Sequence, residues 1–126
     1  MPTTPDGSEP SEFPEGVYRA DLPAEFLIEK GMDPQTAHQL GGIVTLTFED
    51  GRWRARTQGI AEECGGPYTL EAGRISLRTD VPQCGEPAGA VVMKARWTLD
   101  DGELRFFDFR RGRPLEWGSK PWTRID

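Results

Sequence analysis

The chain has 126 residues, 36% hydrophobic and 10% aromatic, which suits one domain with a single core. The formal net charge is −6, but four acidic side chains lie in the first 16 residues, so the rest carries 15 basic and 17 acidic groups. That near-balance excludes the basic surface typical of nucleic-acid binding, and no apolar run reaches the roughly 18–20 residues of a membrane span.

Residues 1–15 are rich in proline and acidic side chains and contain few apolar ones. Such a segment buries too little apolar surface to offset the entropy of ordering, so we predict a disordered acidic tail and a single folded domain over 16–126. The N-terminus lacks the charged-then-apolar pattern of a signal peptide. We expect the chain as given to be cytoplasmic, and extracytoplasmic if a leader has been removed.

Residues 16–21 alternate between apolar and polar side chains and predict a first strand. Residues 22–40 change to a helical period that is interrupted at Gly31. A second helical start follows, where Asp33 suits the N-cap and Pro34 the first helical position. We therefore predict two short helices joined by a glycine.

The clearest hairpin signal runs from Ile43 to Gln58. Asp50-Gly51 at its centre supplies the positive φ values of a two-residue type I′ turn, between two runs of alternating residues. The pattern predicts one apolar face over a core and one polar face toward solvent. The predicted pairs are Val44 with Thr57, Leu46 with Ala55 and Phe48 with Trp53 inside, and Thr45 with Arg56 and Thr47 with Arg54 outside.

Two further hairpins and a closing strand follow. Each hairpin turns at a dipeptide that ends in glycine, Ala72-Gly73 or Asp101-Gly102. Long segments rich in glycine, proline and acidic residues separate the hairpins. The predicted strands are 68–71, 74–78, 91–99, 104–110 and 121–125, and the predicted loops are 59–67, 80–90 and 111–119.

The connections alternate between tight glycine turns and long segments. In an antiparallel meander, alternate connections lie at opposite ends, so the tight turns gather at one end and the long segments at the other. Eight strands of this length are enough to close a barrel and remove exposed sheet edges. The predicted fold is all-β: an eight-stranded antiparallel up-and-down β-barrel with a short helix-turn-helix lid between strands 1 and 2.

The inward positions of this barrel are larger near the tight turns than near the mouth. This taper predicts a pocket in the open half, and a fully packed barrel is the alternative. Trp117 and Trp122 are predicted to cover the core, and contact with a ligand at the mouth is the alternative. The large residues are Phe48, Trp53, Leu70, Ile75, Trp97, Leu99, Leu104 and Phe106, and the residues toward the mouth are Val44, Ala55, Thr57, Val91, Met93 and Ala95.

Asp108 and Arg110 raise a question of orientation. With strict alternation from Leu104, both side chains point inward, where a charged pair is costly unless it is partnered or anchors a ligand. The alternative is a bulge near Phe106 and Phe107. Such a bulge would turn Phe107 and Phe109 inward and place Asp108 outside.

His38 is the single histidine and falls in the predicted lid. It suits an acid/base group at the mouth together with Glu62, Glu63 or Glu116, and a plain surface residue is the alternative. One histidine with scattered acids does not form a zinc site, and no nucleophile elbow, P-loop or dinucleotide motif is present. We expect no metal and no cofactor.

Cys64 and Cys84 flank the second hairpin at its open end, so that a disulfide bridge between neighbouring loops and two free thiols both remain open.

Several residues resemble motifs of the calycin superfamily, which comprises lipocalins and fatty-acid-binding proteins. Gly16-Val17-Tyr18 is similar to the Gly-x-Trp motif of the first lipocalin strand, with Tyr in place of Trp. Arg124 on the last strand is similar to the lipocalin Arg that packs over that aromatic residue at the closed end. The two helices resemble the lid of fatty-acid-binding proteins. The run from GGIVTLTFEDGRW to PWTRI resembles lipocalin-like domains of actinobacterial proteins.

The resemblance implies binding of a hydrophobic small molecule, and in a minority of such barrels cyclase or isomerase activity. Our first hypothesis is binding of an apolar or amphipathic molecule in the open half. The expected ligand-binding residues are Trp53, Ala55, Tyr68, Met93, Trp97, Phe106, Asp108 and Arg110.

Two other hypotheses stand beside binding. The alternative is a barrel enzyme, a cyclase, isomerase or hydratase of a natural-product intermediate, in which Asp108, Arg110 and His38 would handle protons. A third is an interaction domain that uses Val92, Phe107 and Phe109 as an exposed patch. We expect a monomer or a weak homodimer.

Overall fold

A computed structural model describes residues 13–58, 63–80, 87–111, 117–118 and 120–126. Its strands form one closed antiparallel barrel in the order β1-β2-β3-β4-β5-β6-β7-β8, which confirms the predicted fold. Two helices lie between β1 and β2, as predicted. The elements are β1 Gly16–Leu22, α1 Ala24–Glu29, α2 Pro34–Leu40, β2 Gly42–Glu49, β3 Arg52–Thr57, β4 Cys64–Glu71, β5 Arg74–Arg78, β6 Val91–Asp100, β7 Glu103–Arg111 and β8 Trp122–Arg124.

The three tight turns have the geometry that their sequences predict. Asp50, Ala72 and Asp101 have φ values of 53°, 53° and 55°, and the glycine after each has a φ of 77° or 78°. Two successive positive φ values define the type I′ turn, whose twist matches the flanking strands. The predicted cross-strand pairs of the first hairpin are confirmed, and the strands of the other two hairpins pair directly across their turns.

β4 begins earlier than predicted, because the glycines that suggest a loop are part of the strand. Cys64 pairs with Ala55, and Pro67 pairs with Arg52. A Cβ atom on Gly66 would lie 2.1 Å from the carbonyl oxygen of Arg78. The absent side chain therefore permits a close approach of two backbones, which is a role of glycine within strands.

The lid helices begin as their sequences predict. Asp33 caps α2 through a hydrogen bond of 3.1 Å from the Thr36 amide to its carboxylate, and Pro34 occupies the first turn. Leu27 of α1 and Ala37 of α2 are fully buried in the barrel core. The apolar faces of both helices thus pack on the end of the barrel opposite the tight turns.

The predicted inward orientation of Asp108 and Arg110 is wrong, and the bulge alternative is correct in part. Lys94 pairs with Arg111 and Arg96 pairs with Phe107, so one residue of β6 stands opposite three residues of β7. Asp108 has a φ of 53° in this bulge, and Asp and Asn are the non-glycine residues that tolerate this conformation best. Asp108 and Arg110 are exposed on the outer face.

The two phenylalanines beside the bulge have different environments. Phe109 turns toward the core, whereas Phe107 stays 43% exposed, contrary to the bulge prediction for Phe107. Leu99 was predicted inside but is 37% exposed. The reason is that β5 begins at Arg74, opposite Arg96, so the part of the β6–β7 hairpin that carries Leu99 extends beyond β5.

Candidate functional site

The interior of the barrel is lined by apolar side chains from every strand. Two groups of aromatic rings stand out within it. One group lies at the end of the tight turns and includes Phe48, Tyr68 and Trp97. The inward residues that are buried in the core are Tyr18, Ala20, Leu22, Val44, Leu46, Phe48, Trp53, Tyr68, Leu70, Ile75, Leu77, Met93, Ala95, Trp97, Leu104, Phe106 and Trp122.

Trp117 belongs to the second group of rings. Its centroid lies 6.1 Å from Trp53, 6.2 Å from Phe106 and 5.9 Å from Trp122, all of them inward-facing. Trp117 is half-buried, as a ring placed between the core and solvent would be. The prediction that Trp117 and Trp122 cover the core is confirmed.

The indole nitrogens of the interior tryptophans differ in their hydrogen bonds. Trp53 donates to the carbonyl of Arg78 at 2.8 Å, and Trp122 donates to the carbonyl of Trp117 at 3.1 Å. Nε1 of Trp97 is buried but has no hydrogen-bond partner in the described part of the chain. A buried donor without an acceptor costs roughly 1–3 kcal/mol, so this nitrogen is a polar contact point inside the barrel.

The inward positions toward the mouth carry smaller side chains. Ala20, Val44, Ala55 and Ala95 lie on four strands, and the first, second and last of these are buried. Ala95 precedes Trp97 by two residues on β6, so both side chains point inward from the same strand. Ala95 thus lies on the mouth side of the Trp97 ring, which itself belongs to the aromatic group at the closed end.

Residues 13–15 cover the opposite end of the barrel. Phe13 is 3% exposed, and its ring centroid lies 4.5 Å from Phe48, 4.9 Å from Trp97 and 5.5 Å from Tyr68. These residues fall in the segment that composition assigns to the tail; residues 1–12 lie outside the described part. An isolated aromatic residue directly before a strand was the sequence signal for this contact.

Glu15 is bound by three donors. Its carboxylate accepts hydrogen bonds from the amides of Asp50 and Gly51, at 3.2 and 2.8 Å, and from the Tyr68 hydroxyl at 2.6 Å. Partial burial opposes ionisation, but these bonds outweigh it and hold the pKa of Glu15 below its ordinary value. Burial first, and then the bond to Glu15, raise the pKa of Tyr68, so the phenol stays protonated and donates.

The closed-end contact predicted by the lipocalin resemblance is confirmed. Arg124 pairs with Tyr18 across β1 and β8, and its guanidinium lies 5.9 Å from the centre of the Tyr18 ring. A Cβ atom on Gly16 would lie 2.9 Å from Nη2 of Arg124, so the guanidinium would have to shift if this residue carried a side chain. The same Nη2 donates to the carbonyl of Glu15 at 3.0 Å.

A groove of 320 Å³ lies on the outer face of β2, β3 and β4, not in the barrel interior. It sits where Gly65 leaves the outer surface without a side chain, and the Arg52–Asp80 ion pair lies at its edge. The lining contains both acidic and basic side chains, and so the groove differs from the apolar pocket that the taper predicts. The lining residues are Thr47, Glu49, Asp50, Arg52, Trp53, Arg54, Glu63, Cys64, Gly65, Gly66 and Asp80.

Asp108 forms a charge cluster on the outer face. Arg74 and Arg96 lie directly opposite each other on β5 and β6, and like charges at such positions repel. The carboxylate of Asp108 pairs with both, and its oxygen lies 3.4 Å from Nε of Arg96. Because this cluster faces away from the core, it does not form a polar anchor inside the barrel.

The other predicted site residues are dispersed. His38 is exposed on α2 at the lid, so the structure does not bring it together with Asp108 and Arg110 on the outer face of β7. Cys64 is disulfide-bonded, and Cys84 lies outside the described residues, so their pairing stays a prediction. Glu62 and Glu116 also lie outside them. The described residues contain no group of three or more metal-ligating His, Cys, Asp or Glu side chains.

The comparisons with known proteins add no relative. No family model, no curated protein and no solved structure matches the chain. Within the described residues, no helix has both the length and the apolar character that crossing a membrane would take.

Proposed function

We propose that the barrel binds an amphipathic small molecule in its open half, in the manner implied by the resemblance to calycins. The observation that carries the proposal is the Trp97 nitrogen, a buried donor without an acceptor. A ligand carbonyl, ether or hydroxyl oxygen that accepts this bond would recover the cost of the buried donor. The apolar part of the ligand would lie along Ala20, Val44, Ala55 and Ala95.

Of the predicted ligand-binding residues, those inside the barrel retain their role in this proposal. The Trp117 ring lies against both Trp53 and Phe106. A ligand would either contact the Trp117 ring, which then stands between the ligand and these two side chains, or displace that ring and contact the two side chains directly. Met93 is fully buried on the same strand as Trp97. Asp108 and Arg110 have no part in it, because both lie outside the barrel.

The test compares two ligands of equal length, methyl octanoate, which carries acceptor oxygens, and decane, which carries none. Binding is measured by displacement of a hydrophobic fluorescent probe from the wild-type protein and from Trp97→Phe. We expect the wild type to prefer the ester over decane by about fivefold more than Trp97→Phe does, since one net hydrogen bond contributes about 1 kcal/mol.

The control is Trp122→Phe, which removes an indole donor that already has an acceptor. It should leave the preference for the ester unchanged. If neither ligand binds the wild type, or if Trp97→Phe keeps the full preference, the proposal is wrong.

A further inference from the structure

The segment Phe13–Glu15 is bound to the barrel as a peptide ligand is bound to a receptor. It belongs to no helix or strand, and the one backbone–backbone hydrogen bond found for these residues joins the Glu15 amide to the Phe13 carbonyl within the segment. The remaining polar contacts come from side chains of the barrel and from two backbone amides of one turn. The segment is therefore not held by extension of the sheet.

The site has an aromatic half that holds the Phe13 ring. Phe48, Tyr68 and Trp97 surround the ring at inclined angles, between 53° and 69°, at centroid distances of 4.5–5.5 Å. Edge-to-face and tilted contacts of this kind are the preferred geometry of aromatic pairs. This half of the site selects a planar ring.

The other half of the site binds a carboxylate. The amides of Asp50 and Gly51 point to the same place because both residues have positive φ, and such successive amides form an anion-binding concavity. The Tyr68 hydroxyl adds a third donor. Since all three groups donate, the site requires an acceptor-only group, and an ionised carboxylate satisfies all of them.

Two further contacts fix the backbone between ring and carboxylate. The Tyr18 hydroxyl donates to the Pro14 carbonyl at 2.6 Å, and Arg124 donates to the Glu15 carbonyl. Proline lacks an amide hydrogen, so the middle residue of the segment leaves no donor unpaired. The site thus contacts three consecutive residues: the aromatic ring of the first, the backbone carbonyl of the second, and the carbonyl and carboxylate of the third.

We propose that the closed end of the barrel is a recognition site for a protein segment with an aromatic residue two positions before a carboxylate, and that Phe13–Glu15 occupies it until such a segment displaces them. The site lies at the opposite end from the mouth. It shares the Trp97 ring with the proposed ligand site, but it does not rest on ligand binding in the open half. Because the resident segment is joined directly to β1, its effective concentration is millimolar or higher, and it competes strongly with any partner.

The test uses the full chain with Phe13→Ala and Glu15→Gln combined. A fluorescently labelled peptide with the sequence of residues 12–17 is titrated into this double variant and into the wild type, and anisotropy is recorded. We expect the variant to bind at least about tenfold more tightly than the wild type, because the competing segment has lost both of its anchors. Glu49→Gln, an exposed glutamate of the same hairpin, is the matched control and should bind the peptide as weakly as the wild type.

Peptides in which the Phe is Ala, or the Glu is Gln, should bind the double variant about tenfold or more weakly than the parent peptide. Equal binding to wild type and variant, or no binding to a folded variant, would overturn the proposal. If the variant fails to fold, the added parent peptide should restore its near-ultraviolet circular dichroism, and failure to do so would also overturn it.

Discussion

The two ends of the barrel are closed by different means. At one end, three type I′ turns and the segment Phe13–Glu15 seal the interior, and the acceptor groups of that segment receive hydrogen bonds. At the other end, two short helices cover the strands with small apolar faces. Lys120 joins this cover to the barrel by donating to the Asp21 carbonyl at 3.0 Å and lying over the Phe26 ring.

The difference separates stability from ligand access. Aromatic rings in contact with one another, and turns fixed by backbone conformation, leave the strands at the closed end little freedom to separate, whether or not the segment Phe13–Glu15 is in place. The open end combines small inward residues with a cover of two helices, each no longer than seven residues. Isolated helices of this length are not stable alone, so the cover depends on its contacts with the barrel. We therefore assign stability mainly to the closed end and ligand entry to the open end.

The largest expected effect is the loss of an aromatic ring at the closed end. Phe48→Ala should lower the free energy of unfolding by about 3–5 kcal/mol, since the ring is 1% exposed and contacts two other rings besides Phe13. Val44→Ala, at the open end of the same strand, should cost roughly 1–2 kcal/mol. If denaturant unfolding showed equal losses of unfolding free energy in the two variants, the closed end would not contribute more to stability than the open end.

A second contrast concerns the two interior indoles. Trp53→Phe deletes a donor and leaves the Arg78 carbonyl without that bond, whereas Trp97→Phe deletes a donor that has no partner. Both lose similar ring volume, so we expect Trp53→Phe to be more destabilising by roughly 1–3 kcal/mol. Chemical denaturation of the two variants measures the difference. A greater loss for Trp97→Phe would show that its nitrogen is bonded in solution.

The contact of Glu15 predicts a pH dependence of stability. Its pKa in the folded protein lies below the ordinary value of 4.5, so the stabilisation is complete above that value and is lost as the pH falls through the lowered pKa. At neutral pH, Glu15→Gln should cost about 1–2 kcal/mol relative to the wild type. The difference should shrink as the pH falls below 4.5. If the stability difference between the wild type and Glu15→Gln stayed constant across this pH range, the ionised Glu15 carboxylate would not be bound by the turn amides.

The smallest effect is expected outside the barrel, at Asp108. Asp108→Asn keeps a side chain that tolerates positive φ but loses the charge that pairs with Arg74 and Arg96. Exposed ion pairs contribute about 0.2–1 kcal/mol, so unfolding should change by no more than about 1 kcal/mol. Binding of methyl octanoate should not change. A marked loss of methyl octanoate binding in Asp108→Asn would show that Asp108 takes part in ligand binding after all.

The barrel was predictable because its signals are local. Asp50-Gly51 and the alternation around it fix a register, and that register places Phe48 opposite Trp53. The β7 bulge was harder to place, since the ion pairs of Asp108 with Arg74 and Arg96 form only after β5, β6 and β7 have come together. The start of β4 was missed because glycine marks both loops and close strand contacts.

The candidate sites were less predictable than the fold. The sequence identifies Trp97 as inward-facing, but the absence of an acceptor for its nitrogen depends on the positions of many neighbours. The contacts of Phe13 and Glu15 join residues up to 109 positions apart in sequence, and composition alone assigns both to a disordered segment. Side-chain recognition over such separations has no periodic pattern to reveal it.

The most direct test of ligand binding in the open half is the indole N–H resonance of Trp97, assigned by its loss in Trp97→Phe and followed while methyl octanoate is added. We predict that this resonance moves downfield to saturation with the ester, as a new hydrogen bond forms, and does not move downfield with decane. Saturable binding of the ester that leaves the Trp97 resonance unmoved, or no binding at all, would contradict the account.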